Sequence, residues 1–178
     1  MSTAEEFRPH YTVEDYLAWE GDWELWNGTA VAMTPSPFGA QAKLLVNVAF
    51  ALKTAVQQAG CNATVLAEID WIVDDHTVLR PDVVVLCGSE PDRHVEETPA
   101  IVVEILSEST CARDETHKRA IYAREKVPFY FIVDPNSNEL MVLELKGDRF
   151  EQRESTRQAE LEVCETCKLV IDVPSIFS

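Results

Sequence analysis

The spacing of apolar and polar residues changes several times along this chain, and each change marks an element. Thr12-Val-Glu-Asp15 has the form of a capping box closed by Asp, which predicts a short helix to about Trp19. Alternating runs on either side of Asn27-Gly28 predict a β-hairpin, and Pro35 and Pro37 then break the chain. From Gln41 to Ala59, apolar residues Leu44, Leu45, Val48, Leu52, Ala55, Val56 and Ala59 recur at helical spacing, and Gly60 stops the helix. "CNATVLAEIDWIV" reads as one long strand ending near Val73, turning through Asp74-Asp75-His76 into a second strand over about 78–87. A polar loop over 88–99 follows.

Residues 101–106 form a third predicted strand. It is apolar on both faces except for Glu104, as expected of a strand inside a covered sheet. Val102 and Leu106 share the face of Glu104, and Ile101, Val103 and Ile105 lie opposite. Residues 107–110, with Ser107 and Ser109 as capping residues, lead into a helix running to about Lys126, which Pro128 ends. "FYFIVDP" is a fourth covered strand, and strand, helix and strand together suit a parallel crossover. Segments 139–145 and 149–153 predict a more exposed antiparallel hairpin, and the pattern weakens beyond them. The expected fold is therefore α/β: a central mixed β-sheet flanked by helices, in the order α-β-β-β-α-β-β, preceded by a short helix and a β-hairpin.

The 178 residues fit one domain. We read 1–36 as an N-terminal helix-and-hairpin extension, 37–154 as the core and 155–178 as a C-terminal tail. No apolar run is long enough for a membrane helix, and "MSTAEEFRPH" lacks a signal-peptide pattern, so a cytoplasmic location is expected. Five cysteines without framework spacing suggest free thiols in a reducing compartment. Cys164-Glu-Thr-Cys167 is a single CxxC, and no second CxxC or paired His supplies the other two ligands of a zinc site. The formal charge of −16 runs against a basic nucleic-acid footprint. Five of the fifteen basic residues, Arg113, Lys118, Arg119, Arg124 and Lys126, nevertheless fall on one predicted helix. They form either a strip for phosphates or a solvated face with i,i+4 pairs.

Two acids stand out against the apolar pattern. Pro81 cannot donate to a strand ladder, so it marks an edge, a strand start or a bulge, and Asp82 is the side chain that such a break re-aims. Glu104, inside a covered strand, needs a metal ion or a basic side chain. Asp114, Lys118 and Tyr122 lie four residues apart on one face of the following helix. Two carboxylates can hold Mg²⁺ or Mn²⁺, with Lys118 nearby to orient water or offset developing charge. The alternatives are a buried Glu104–Lys118 ion pair and a simple strand-start Asp82. Asp114 also suits a helix start through the dipole. Glu68 and Asp70 share a face of the first strand, where solvent exposure is expected, the alternative being a place near the metal. Glu24 is either a surface acid of the hairpin or a further acid of the site.

The combination of Pro81-Asp82, Glu104 and the helical lysine resembles the PD-(D/E)xK nuclease superfamily. Several segments resemble, more narrowly, the bacterial Uma-type family of putative restriction endonucleases: "TVEDYLAW", "WELWNG", "RPDVVVL", "VVEILSEST", "RDETHKRAIYAREKVPFYFIVDP" and "IDVPSIF". The resemblance implies a restriction-endonuclease-like core and Mg²⁺-dependent (or Mn²⁺-dependent) hydrolysis of DNA. It implies Asp82, Glu104 and Lys118 as catalytic residues. Asp82, Glu104 and the Ile105 carbonyl would be the metal ligands, with Glu24, Asp114 and Tyr122 as possible additions. The usual lysine two residues after the glutamate is replaced by Leu106, so the helical Lys118 takes that place. Family members often carry a His after the first Pro-Ser-Pro stretch, and "SPFGAQ" has none. A homodimer is expected for duplex cleavage. The competing reading is a catalytically weak or inactive module on the same fold, acting as a regulator or interaction partner.

Overall fold

Two antiparallel hairpins and a six-stranded sheet meet along one seam, and that seam positions the acids. The structure is a computed structural model that describes residues 9–33, 39–106, 112–154 and 157–178, and the side chains of 112–115 lie outside that description. Helix α1 (Val13–Leu17) starts with the predicted capping box, in which Thr12 and Asp15 satisfy each other's backbone N–H groups. Strands β1 (Trp23–Trp26) and β2 (Thr29–Ala32) form the predicted hairpin. Its two-residue turn holds Asn27 and Gly28 at positive φ, as a type I′ connection requires. A Cβ on Gly28 would come within 2.5 Å of the His10 ring, so this glycine is needed for space as well as for conformation. Helix α2 (Gly39–Ala59) begins two residues before the predicted start, and the break at Pro35 and Pro37 lies outside the described residues.

The long strand expected from Cys61 to Val73 is two strands. β3 (Ala63–Ala67) and β4 (Trp71–Asp74) are separated at Glu68, whose φ of 49° no strand residue adopts. The strand expected over 78–87 is likewise β5 (Thr77–Leu79) and β6 (Val83–Cys87), parted by Arg80, Pro81 and Asp82. Hydrophobic alternation runs through the first break and hides it, whereas Pro81 marks the second, where a strand start is one of the three readings it allows. As a result β4 and β5 join β1 and β2 in a four-stranded sheet of order β2-β1-β5-β4. β3 and β6 join the main sheet instead.

The main sheet also contains β7 (Ile101–Ile105), β8 (Phe129–Asp134), β9 (Glu139–Lys146) and β10 (Arg149–Arg153), in the order β10-β9-β8-β7-β6-β3. Its β7–β8 pair is parallel and is connected through helix α3 (Ala112–Arg124), as expected of the crossover. Apart from the inserted β4–β5 hairpin, the order α-β-β-β-α-β-β stands, and the mixed sheet is that of the predicted α/β class. The polar loop is as expected except that Val95 is buried and bridges to Trp71.

Both faces of the sheet are covered. On one, Val83, Val85, Ile101, Val103, Phe129 and Phe131 pack against Leu44, Val48, Leu52 and Val56 of α2. On the other, Val84, Leu86, Val102, Tyr130 and Ile132 pack with Ile121 and Tyr122 of α3. The residues of β7 divide between these two clusters as their alternation predicts. The weakly patterned tail is ordered. β11 (Gln158–Val163) and β12 (Cys167–Asp172) form a separate hairpin, followed by α4 (Val173–Ile176). Ala159, Leu161, Val163, Leu169 and Ile171 of this hairpin bury into the α2 side of the core. The 139–153 hairpin is less exposed than predicted, because Leu140, Val142, Leu143 and Phe150 are buried.

Four cysteines expected as free thiols are paired as Cys61–Cys167 and Cys87–Cys164. Linear spacing could not reveal this, since the partners are 106 and 77 residues apart.

Leu25 has no exposed surface and anchors the first hairpin through its pairing with Val78. Leu25→Ala should lower stability by about 2–5 kcal/mol, read from the midpoint of urea unfolding.

Candidate active site at the seam of the two sheets

The β6–β7 register places Val83 opposite Val103, so its continuation sets Asp82 opposite Glu104 on the α3 side of the sheet. Pro81 supplies no ladder donor and β6 starts only at Val83. The Ile105 N–H that would otherwise lack a strand partner donates instead to Asp82 Oδ2 at 2.6 Å. That hydrogen bond fixes the Asp82 carboxylate beside β7. Glu68, whose N–H donates to the Asp82 carbonyl at 3.0 Å, continues the row of acids and is exposed.

Helix α3 lays Lys118 and Tyr122 over Glu104, one turn apart. Lys118 Nζ donates to Glu104 Oε1 at 3.0 Å and approaches Oε2 at 3.3 Å. The Tyr122 hydroxyl donates to the same Oε1 at 2.5 Å. The ammonium also meets Glu24 Oε1 at 2.9 Å, so one lysine bridges acids from β1 and β7. Glu24 is only 3% exposed, which excludes the surface-acid reading. Its Oε1 also accepts from the Arg80 N–H at 2.7 Å, and its Oε2 accepts from Trp26 Nε1 at 2.9 Å.

Three carboxylates thus face one ammonium in a partly dry pocket. Burial, only partly offset by the Ile105 hydrogen bond and the charge of Lys118, pushes Asp82 up to about 6, with Glu68 and Glu24 adding to the rise. Burial likewise pushes Glu104 up to about 7; Lys118 opposes this, and Asp82 and Glu24 reinforce it. Burial works against the ammonium of Lys118, but Glu104 and Glu24 outweigh it and raise its pKa, so Lys118 stays charged. Tyr122 is held well above its ordinary value by burial and by Glu104, and remains a donor.

Of the residues singled out from sequence, Asp82, Glu104, Lys118, Tyr122 and Glu24 come together here. Asp114 lies in the first turn of α3 with its side chain outside the described set, as are Ser107 and Ser109. Asp70 is not solvated as expected. It accepts from Arg80 Nε at 2.7 Å and from the Tyr16 hydroxyl at 3.0 Å, tying α1 and the four-stranded sheet to the segment before Pro81. The sequence reading gave no role to Arg80, Trp26 or Gln41. Arg80 stands next to Pro81-Asp82, and its backbone and side chain serve Glu24 and Asp70 respectively. Gln41 Nε2 reaches the Ile105 carbonyl at 3.5 Å. The adjacency of Arg80 to Pro81 was the one available signal, and nothing local marks the other two. The described side chains of the basic strip on and just after α3 are paired within the protein, Arg113 lying outside that description: Arg119 donates to the Phe150 carbonyl, Arg124 meets Asp74 and Glu125, and Lys126 meets Asp148.

A family model described as a putative restriction endonuclease, Uma2, matches residues 13–173. The fold is also that of a crystal structure of a putative nuclease belonging to DUF820 from Anabaena variabilis ATCC 29413. The TM-score is 0.72 at 17% identity, over 94% of this chain and 97% of that one. No curated protein matches the chain.

Removing the cation strands Glu24 and Glu104 together. Lys118→Met should cost about 3–5 kcal/mol at pH 8, shrinking toward pH 5 as Glu104 takes up a proton, in urea melts at both pH values. Asp82 and Glu104 carry folded pKa values above the ordinary carboxylate range, so the folded chain holds more protons than the unfolded chain between about pH 4 and 7. Their stabilisation is full below about pH 4 and is lost as pH rises through 6 and 7. Subtracting the stability of Glu104→Gln from that of the natural chain should therefore give a difference that falls from pH 5 to pH 8.

Proposed function

The chain belongs to the Uma2 family of putative restriction endonucleases, and from that premise we propose that it is a divalent-metal-dependent endonuclease that hydrolyses DNA phosphodiester bonds. The observation that carries this reading is the convergence of Asp82 and Glu104 beside a single charged Lys118 in a pocket short of positive charge. The donor set is all oxygen, which suits Mg²⁺ or Mn²⁺ rather than a soft ion. Among the described residues, with Cys61, Cys87, Cys164 and Cys167 tied up in disulfides, no group of three or more His, Cys, Asp or Glu side chains is arranged to hold a metal ion. Mg²⁺ commonly takes one or two carboxylates and completes its shell with water, so Asp82, Glu104 and the Ile105 carbonyl suffice as the proposed ligands. A bound divalent ion would lower the pKa of a coordinated water and offset charge on a phosphoryl oxygen.

In this reading the protein's own groups have distinct tasks. The Ile105 N–H holds Asp82 Oδ2, leaving Oδ1 for the ion. Tyr122 and Lys118 fix Glu104 from the helix side. Lys118, held charged, offsets negative charge that develops on the phosphate in the transition state. Glu24 anchors that lysine, with Trp26 and the Arg80 N–H locking its carboxylate, and so acts as a positioning residue. Because metal binding needs deprotonated carboxylates, affinity and activity should rise with pH through about 6 to 7. Asp114 remains a proposed addition to the site. We further propose that the chain is one domain and that it cleaves duplex DNA as a two-fold homodimer.

One observation favours a second reading, an inactive module that serves as a regulator or interaction partner. Lys118 already bridges Glu24 and Glu104, as a purely structural ion triad would. The net charge of −16 adds to it.

Plasmid nicking with Mg²⁺ or Mn²⁺ separates the two. Nicking should appear with metal, vanish with chelator and fall by about 10²-fold or more in Glu104→Gln. Absence of both nicking and calorimetric binding at millimolar Mn²⁺ would favour the inactive module.

A further inference from the structure

The CxxC at 164–167 has no part in the site above, and in sequence it lacks two of the four ligands that zinc requires. The fold supplies them. Cys61 follows the C-terminus of α2, and Cys87 ends β6. β3 pairs with β6 so that Ala63 faces Cys87, and the Gly88 N–H donates to the Asn62 carbonyl. Cys61, two residues before Ala63, therefore lies diagonal to Cys87 across the same strand pair. Cys164 and Cys167 flank the β11–β12 turn, where Cys164 and Glu165 both have positive φ. That turn sits on the pair: the Cα atoms are 5.6 Å apart for Cys61 and Cys167, and 5.4 Å apart for Cys87 and Cys164. Four sulfurs from three chain segments thus gather at one end of the core. Cys167 is buried, Cys61 and Cys164 pack half-buried against the α2 side, and Cys87 is exposed.

We propose that Cys61, Cys87, Cys164 and Cys167 are a four-thiolate zinc site, and that the paired disulfides are its oxidised, metal-free form. A disulfide sulfur is not a ligand, so the zinc form needs a dithiol reductant. Each disulfide takes two electrons and two protons from that reductant, leaving four thiols, and zinc binding then releases the thiol protons to solvent. A tetrahedral ion with Zn–S bonds of about 2.3 Å separates its sulfurs by roughly 3.8 Å, which side-chain rotation can provide within each of these two pairs. The ion would also have structural work. Among the described residues β11 and β12 pair only with each other, and the ion would fasten their turn, beyond the packing of the hairpin on α2, to β6 and the end of α2. This site is independent of the endonuclease reading.

The full chain, purified in a phosphine reductant without chelator and supplied with equimolar Zn²⁺, should carry one zinc per chain by elemental analysis. Co²⁺ in its place should give sulfur-to-cobalt charge-transfer absorption. Cys164→Ser/Cys167→Ser should reduce the zinc below one tenth per chain. Cys87→Ser alone serves as a second variant should the double variant fail to fold, and it should weaken zinc binding at least tenfold. Glu104→Gln should keep its full zinc content, which separates this ion from one at the acidic pocket. A reduced chain with reactive thiols and no zinc at equimolar Zn²⁺ would overturn the proposal. So would disulfides that survive reduction, or zinc retained by the double variant.

Discussion

A single ammonium, that of Lys118, holds the centre of this protein together. It bonds Glu104 in the middle of the main sheet and Glu24 on a hairpin of the other sheet, and it arrives on a helix that crosses between parallel strands. Burying two carboxylates without it would be strongly unfavourable, so helix, hairpin and sheet are bound to one relative placement. The pairing is also incomplete as charge balance. Asp82 adds a third acid, and the raised pKa values of Asp82 and Glu104 register the shortfall. A pocket that is geometrically satisfied yet short of positive charge can either hold a proton or accept a divalent ion, and the proposed chemistry exploits that choice.

The placement of Asp82 follows from a failure of strand structure. Glu68 adopts a positive φ, and Pro81 offers no N–H, so two continuous apolar runs each break and pass from one sheet to the other. The break leaves the Ile105 N–H to be met by a side chain, and the Asp82 carboxylate meets it. An irregularity that weakens the ladder is thereby what aims an acid at its cross-strand neighbour. Arg80 stabilises the same seam, with Asp70 and Tyr16 on one side and Glu24 on the other.

Charge is distributed to the same effect. The described basic residues on and just after α3 are engaged internally, by acids or by a carbonyl, so among them there is no free cationic strip of the kind the composition suggests. With a net charge of −16, a phosphodiester approaching the acids needs a mediating cation. At the far end of β6 from Asp82, two disulfides join segments distant in sequence, as Lys118 does at the seam.

The alternation of β7, the capping box at Thr12, the Asn27-Gly28 turn and the parallel crossover could all be read from the residues, because each depends on neighbours within one element. Glu104 and Lys118 were legible for the same reason: a charge inside an apolar strand demands a partner, and the next helix offers one lysine on the right face. Local pattern could not show that the first apolar run breaks, since backbone torsion at Glu68 changes direction without changing periodicity, and at Pro81 the pattern left a strand start, an edge and a bulge equally open. Nor could it show that Glu24 is buried, that Asp70 grips Arg80, or that four cysteines share one corner. Those facts depend on which strands become neighbours across a sheet or between sheets. That choice is made by packing of distant segments and leaves no trace in the spacing of any one of them.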